Sequence, residues 1–301
     1  LVAAGQASAQ SLIRDTEIAA GAEIQPFTHM VGAKVGTNAV VGPFARLRPL
    51  LHRGTRVLVT LRDGPAATDL ATWLHEIGHP DARLTLLERL GGPAERIRPA
   101  PASDLQAPVM AAIEAQNPGL PRTPGLPDDL FAHDGQITKR PIRALTLSAL
   151  APRPGEHLWD LGAGSGSISV EWCLAGGTAS AVETRADRLP NIRANAESFG
   201  LSHRLAAHSG DHALLLADLP RPDAVFIGGG LSPERVATLW QALPPGTRIV
   251  ANAVTLETEA TLYTAHHSHG GTLLRIDLAQ AGTLGRFRDW IGNAELVGLV
   301  P

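Results

Sequence analysis

Three glycines alternate strictly behind an aspartate in Asp160-Leu161-Gly162-Ala163-Gly164-Ser165-Gly166. Glu183 follows 23 positions after Asp160, and a Gly210-Asp211-His212 segment comes later. Such a set can cradle a nucleotide-like cofactor. The pyrophosphate loop of dinucleotide-binding folds reads G-x-G-x-x-G and rests its ligand on a helix N-terminus. Here the glycines fall on every second residue instead, and bare Cα positions let a ligand run close to the backbone. A carboxylate closing the next strand accepts hydrogen bonds from ribose hydroxyls.

The elements that must position these residues are legible from about Pro127 onward. Apolar runs at Glu156–Leu161, Thr178–Val182, Arg204–Ala207, Asp223–Ile227, Thr247–Ala251 and Leu273–Leu278 read as strands. Helical patterns separate them, the first through Ile168, Trp172 and Leu174, so residues 126–301 read as a doubly wound α/β domain. Upstream, residues 51–100 read as strand, helix and strand at Arg56–Leu61, Thr68–Ile77 and Arg83–Leu87. Prolines at 99, 101, 108, 118, 121, 124 and 127 forbid a long helix, so residues 101–125 are expected to be a linker. Over residues 15–49, the apolar residues Ile18, Ile24, Met30, Val35, Val41 and Leu47 recur about every six positions among glycines. That period fits neither helix nor strand and suits a β-helix-like segment over residues 1–50.

Several resemblances sharpen this reading. The D-x-G-x-G-x-G loop with Glu183 and the later Gly-Asp resembles class I S-adenosylmethionine-dependent methyltransferases, whose cofactor has no pyrophosphate to neutralise. HDGQITKRPIR at His133–Arg143, DLGAGSGSISVEW at Asp160–Trp172, DAVFIGGGL at Asp223–Leu231 and VANAVTLE at Val250–Glu257 occur in order. Together they resemble the C-terminal domain of the decarboxylating precorrin-6Y C5,15-methyltransferases of cobalamin biosynthesis. The Asp63-Gly64 turn and LERLGGPAERIR at Leu87–Arg98 resemble the later half of the tetrapyrrole methylase lobe that precedes it. GPFARLRP at Gly42–Pro49 resembles the left-handed β-helix of the N-acetylglucosamine-1-phosphate uridyltransferase and acetyltransferase family.

The precorrin resemblance implies S-adenosylmethionine as cofactor and a precorrin tetrapyrrole as partner, methylated at C15 with decarboxylation of the ring C acetate. Methylation at C5 is not expected, because no strand and glycine-rich loop of the first lobe precede Gly54. It carries Thr138, Gly162, Ala163, Gly164, Ser165, Gly166, Glu183, Asp211 and His212 onto cofactor contacts, the last through its backbone. Lys139, Arg140, Arg143 and Asn252 are expected on the substrate side, the cations because precorrins carry several carboxylates. No catalytic triad is expected, since methyl transfer rests mainly on orientation and exclusion of water. Residues Ile291–Pro301 depart from the usual family ending, which leaves a final antiparallel strand in question.

Composition limits the alternatives. Hydrophobic residues make up 44% and charged residues 18%, enough for a core and too little charge for disorder. The net charge of −3, without a basic run, argues against nucleic acid or an anionic membrane as partner. No apolar run reaches the roughly 20 residues of a membrane span, and no leader follows Leu1, so a cytoplasmic protein is expected. The lone Cys173 reads as a small buried residue, and His266, His267 and His269 lack the acidic or thiol neighbours of a metal site. Self-association through apolar surface of residues 54–98 is a further expectation. The competing readings are a class I methyltransferase of RNA or another small molecule, and a non-catalytic assembly module or acetyltransferase remnant.

Overall fold

The computed structural model describes residues 44–210, 217–284 and 287–300, together with seven strands of two or three residues between Gln6 and Val41. Those strands pair in parallel 17 positions apart, Gln6 with Glu23, Leu12 with His29, Glu17 with Lys34 and Glu23 with Val40, in three stacks. The chain divides into two compact units, Leu1–Pro121 with Glu197–His203, and Arg122–Ala196 with Arg204–Pro301.

In the first unit, β1 (Arg56–Leu61) leads through α1 (Ala66–Glu76) to β2 (Arg83–Glu88), then β3 (Arg96–Pro99) and β4 (Val109–Glu114). The Asp63 carboxylate accepts the Ala66 N–H at 2.9 Å and starts α1. The sheet order is β3-β2-β4-β1, with every neighbouring pair antiparallel. The expected strand, helix, strand order is present, but β1 and β2 are not neighbours. Between them lies β4, drawn from the stretch expected to be a linker. The correction has a simple cause: the prolines flank Val109–Glu114 without entering it, and Val109, Ala111 and Ile113 alternate into the core. With Leu61, Leu84 and Leu86 they pack beneath Leu70 and Leu74 of α1. On the other side Leu58 and Ile97 remain exposed.

The second unit begins with α2 (Arg140–Leu150) and continues β5 (His157–Leu161), α3 (Ser167–Leu174), β6 (Thr178–Glu183), α4 (Leu189–Ser198) and β7 (Leu205–Ser209). It goes on with β8 (Ala224–Ile227), α5 (Pro233–Ala242), β9 (Arg248–Ala253), α6 (Leu256–His269), β10 (Thr272–Leu284) and β11 (Phe287–Val300). The seven-stranded order is β7-β6-β5-β8-β9-β11-β10, parallel through the first five and antiparallel at β11 and β10. The final antiparallel strand left in question by the sequence is therefore present. Leu158, Ala179, Ala181 and Val250 are buried on one side of the sheet. Trp159, Leu161, Val182, Val225 and Ile227 pack on the other with Leu239 of α5 and Leu262 of α6. Among the described residues no helix is long and apolar enough to cross a membrane.

Candidate cofactor and substrate site

The strand order reverses between β5 and β8: the chain winds from β5 outward to β6 and β7, then returns to β8 and β9. Loops leaving the carboxyl ends of strands at such a switch point bound a natural ligand crevice. Both loops here are glycine-rich, Gly162–Gly166 after β5 and Gly228–Gly230 after β8. They touch. A Cβ on Gly162, whose φ is +76°, would stand 2.9 Å from the Gly229 nitrogen, and one on Gly228 would stand 3.0 Å from the Gly162 carbonyl oxygen. The bare Cα positions of Gly162 and Gly228 thus serve loop-on-loop contact, while Gly164 and Gly229 remain open. The strand registers set this level, with Gly162 N–H donating to Val182 O and Gly228 N–H to Leu161 O, both at 2.9 Å.

The acid is tied to the loop. Glu183 is buried, with Oε2 accepting the Gly164 N–H at 2.8 Å and Oε1 the Arg185 N–H at 3.0 Å. Each carboxylate oxygen carries two lone pairs, so a pair of ribose hydroxyls can still be bound by an already oriented group. Asp160 lies deeper and is fully buried. Its Oδ2 accepts the Ser169 hydroxyl at 2.6 Å and the Ser169 N–H at 3.3 Å, while Oδ1 has no partner among the described residues. Burial pushes its carboxyl up to about 6, against the pull of the Ser169 bonds. An orphaned acidic oxygen under a glycine loop fits a cofactor bearing positive charge, as S-adenosylmethionine does.

Thr138 is half-buried on the segment that precedes α2, and its carbonyl accepts from Arg143. The same segment brings the Gln136 carbonyl oxygen 3.6 Å from where a Cβ on Gly164 would lie. Ala163 is half-buried and Ser165 fully buried in the loop. Asp211 and His212 lie outside the described residues. Lys139 and Arg140 are exposed at the start of α2, free to face an anionic ligand.

Arg143 is corrected by the structure. It is wholly buried and its guanidinium is committed to the protein, with Nε on Glu171 Oε1 at 2.6 Å and Nη1 on Asp128 Oδ1 at 2.8 Å. Nη2 donates to the Leu126 carbonyl, and the group stacks 4.7 Å over the Phe131 ring. A fork so completely occupied cannot anchor a substrate carboxylate. Asn252 is likewise engaged, its amide and the Thr146 hydroxyl of α2 bonding each other at 3.1 and 3.3 Å. Cys173 is buried, its thiol pushed up to about 12 by desolvation, which removes it as a nucleophile. His269 stacks on Trp240, ring centroids 4.0 Å apart.

The sequence reading gave three groups no place in the site. Gly228–Gly230 stands inside the DAVFIGGGL motif, which carried the resemblance but was given no place in the site. Asn195 and the Asp134–Arg188 pair carried no local signal, because their partners are distant along the chain.

A sheet of this order, with a glycine loop and a strand-end acid at its switch point, defines a class I methyltransferase whose methyl donor is S-adenosylmethionine. Residues 129–299 match the family described as the precorrin methyltransferase domain, and the chain belongs to that family. It is 47% identical over 260 residues to a decarboxylating precorrin-6Y C(5,15)-methyltransferase of a Sinorhizobium species. That alignment takes in 82% of this chain, hence much of the first unit, and 63% of the relative, so the chain spans less than two thirds of the relative's length. The crystal structure of the C-terminal domain of precorrin-6Y C5,15-methyltransferase from Rhodobacter capsulatus is 59% identical. It superposes with a TM-score of 0.59 over 60% of this chain and 99% of that one. A precorrin-6Y C5,15-methyltransferase from Geobacter metallireducens is 31% identical, with a TM-score of 0.54 over 60% of this chain and 99% of that chain. These comparisons do not support the acetyltransferase resemblance of residues 15–49.

Proposed function

We propose that the second unit methylates a precorrin at C15 and releases the carboxyl group of its ring C acetate as carbon dioxide. The observation that carries this reading is the 59% identity to the Rhodobacter domain along 99% of that domain's length. The chain's own crevice supports the chemistry. S-adenosylmethionine supplies an electrophilic methyl group on a sulfonium. An electron-rich ring carbon would take that methyl as the carbon–sulfur bond broke, with its electron pair left on sulfur. In the second step the bond from the acetate methylene to its carboxylate breaks, and its electrons enter the conjugated macrocycle.

The residues present have positioning tasks in both steps. Glu183 orients the ribose, the Gly162–Gly166 loop and the segment at Thr138 enclose the methionine portion, and the Asp160 oxygen offsets positive charge. Asp211 and His212 are assigned to the adenine side. Lys139 and Arg140 meet peripheral carboxylates of the macrocycle, beside a Gly228–Gly230 loop whose Gly229 and Gly230 carbonyls accept from the Arg235 guanidinium. Orientation and exclusion of water are expected to supply most of the rate.

The test is calorimetry with S-adenosylmethionine, followed by incubation with the reduced precorrin and methyl-labelled donor, read by mass spectrometry. One labelled methyl gained and one carbon dioxide lost per macrocycle is the expected product. Absence of donor binding at high micromolar concentration overturns the reading, and label found on RNA but not on precorrin moves the protein to another substrate.

A further inference from the structure

Helix α4 follows the acid-bearing strand β6, and two side chains, Asn195 within it and Arg188 just before it, bond the segment that precedes α2. Asn195 is 1% exposed and uses its whole amide. Its Oδ1 accepts the Ala132 N–H at 2.7 Å, and its Nδ2 donates to the Ala132 carbonyl at 2.9 Å and to the Ser165 carbonyl at 2.8 Å. One side chain therefore joins the segment carrying Thr138 to the glycine loop. Just before α4, Arg188 Nε donates to Asp134 Oδ2 at 2.9 Å, while Asp134 Oδ1 accepts the Gln136 N–H at 3.0 Å. This second contact holds the stretch whose Gln136 carbonyl lies over Gly164. The far end of the segment is fixed separately, with Gly125 and Leu126 N–H donating to Glu171 at 2.7 and 3.0 Å.

We infer that Asn195 and the Asp134–Arg188 pair form a two-point clamp that positions residues 132–138 over the cofactor crevice, and that they set affinity for the methyl donor without touching the reacting atoms. The inference rests on the methyltransferase reading above. Three properties distinguish the clamp from ordinary packing. One point lies on α4 and the other on the residue that leads into it, both act on a segment that supplies a cofactor candidate, and the buried one also holds the glycine loop. Replacing Asn195 by Asp keeps the shape and the acceptor for Ala132. It removes both donors and sets a carboxylate against two carbonyl oxygens, which a buried site tolerates poorly. The Asp134–Arg188 pair is partly exposed, so its loss disturbs folding little.

The experiment measures S-adenosylmethionine affinity by calorimetry, donor KM and kcat, and Tm on the full chain and its variants. Asn195→Asp and Asn195→Ala are expected to raise the donor Kd and KM by about tenfold or more while kcat at saturating donor stays within about twofold. Arg188→Gln is expected to raise both by about two- to fivefold with little change in Tm, and the charge swap Asp134→Arg with Arg188→Asp to restore part of the loss. Should the Asn195 variants fail to fold, Arg188→Gln and the swap still decide the matter. Lower Tm with unchanged donor Kd across the set overturns the clamp while leaving the methyltransferase reading intact. A wild-type chain that does not bind the donor overturns that reading itself.

Discussion

The two sheets of this molecule solve different burial problems. In the first unit, antiparallel strands carry one helix on one face, and β4 is buried at every second residue. In the second, the parallel strands are covered on both faces, and β8 is buried at all four positions. Sheets with one solvated side read as alternation, and parallel sheets between helices read as unbroken apolar runs. The lesson extends to charge. The first unit holds its buried Glu88 between the rim residues Arg96 and Arg98, at 2.6 and 2.9 Å. Burial alone would raise that carboxyl, but the Gln106 N–H and the two guanidinia outweigh it and hold it below the ordinary carboxylate range. The second unit instead buries both members of its Arg143–Glu171 pair.

The largest effect expected from this contrast comes from one substitution made in two places. Val225→Asp puts an unpaired charge between the sheet and the α5–α6 layer, and the second unit should lose cooperative melting, a cost beyond about 4 kcal/mol. Leu58→Asp, on the open face of the first sheet, should change stability by no more than about 0.5 kcal/mol. Circular dichroism melts of both variants check this, and equal damage at Leu58 would mean that the open face is covered in solution. Next in size is Glu171→Ala, which strands the Arg143 guanidinium and two backbone N–H groups. A loss of about 3–5 kcal/mol in urea titration is expected, against a visibly smaller fall for Arg98→Ala at the exposed rim. A smaller loss for Glu171→Ala than for Arg98→Ala would reverse the comparison.

The same contrast explains what could be read in advance. The glycine loop and Glu183 were legible because a loop and the acid of the next strand form a local pattern. The central strands β5, β6 and β8 were legible because nearly fully buried parallel strands are short apolar blocks. Val109–Glu114 was not, since half of a one-sided strand is unremarkable and its neighbours are prolines. Arg143 misled because a cation at the start of a helix looks solvated, and its partners Glu171 and Asp128 adjoin it only after folding. Asn195 carried no signal for the same reason, since Ala132 and Ser165 meet it only after folding.

Asp160 offers an effect of intermediate size, confined to the two-sided sheet. Its carboxyl is raised from 3.8 to about 6 by burial. The folded state therefore binds the proton more tightly than the unfolded one, and stability falls as pH rises from about 4 through about 6. About 3 kcal/mol of stability is forgone above that window. Asp160→Asn keeps an acceptor for Ser169 and should raise Tm at pH 8 while weakening binding of S-adenosylmethionine. A variant with unchanged Tm and unchanged affinity would deny the orphaned oxygen any part in either.

The smallest effect belongs to two imidazoles on the same sheet, and it has the opposite sign. His157 of β5 bonds the Thr178 and Ser180 hydroxyls at 2.8 and 3.0 Å, and His208 of β7 has Nε2 buried with no partner among the described residues. Burial holds both below the ordinary 6.5, for His157 against the attraction of Asp223. The unfolded chain then takes up protons that the folded chain refuses. Stability is complete above pH 6.5 and drains away as pH falls below it. In the wild type this loss is partly masked between about 6 and 4, where Asp160 gains its proton. The Asp160→Asn variant should therefore show the steeper acid loss of Tm, and adding His208→Gln should flatten it. An acid profile that His208→Gln leaves unchanged would assign the loss to His157 alone.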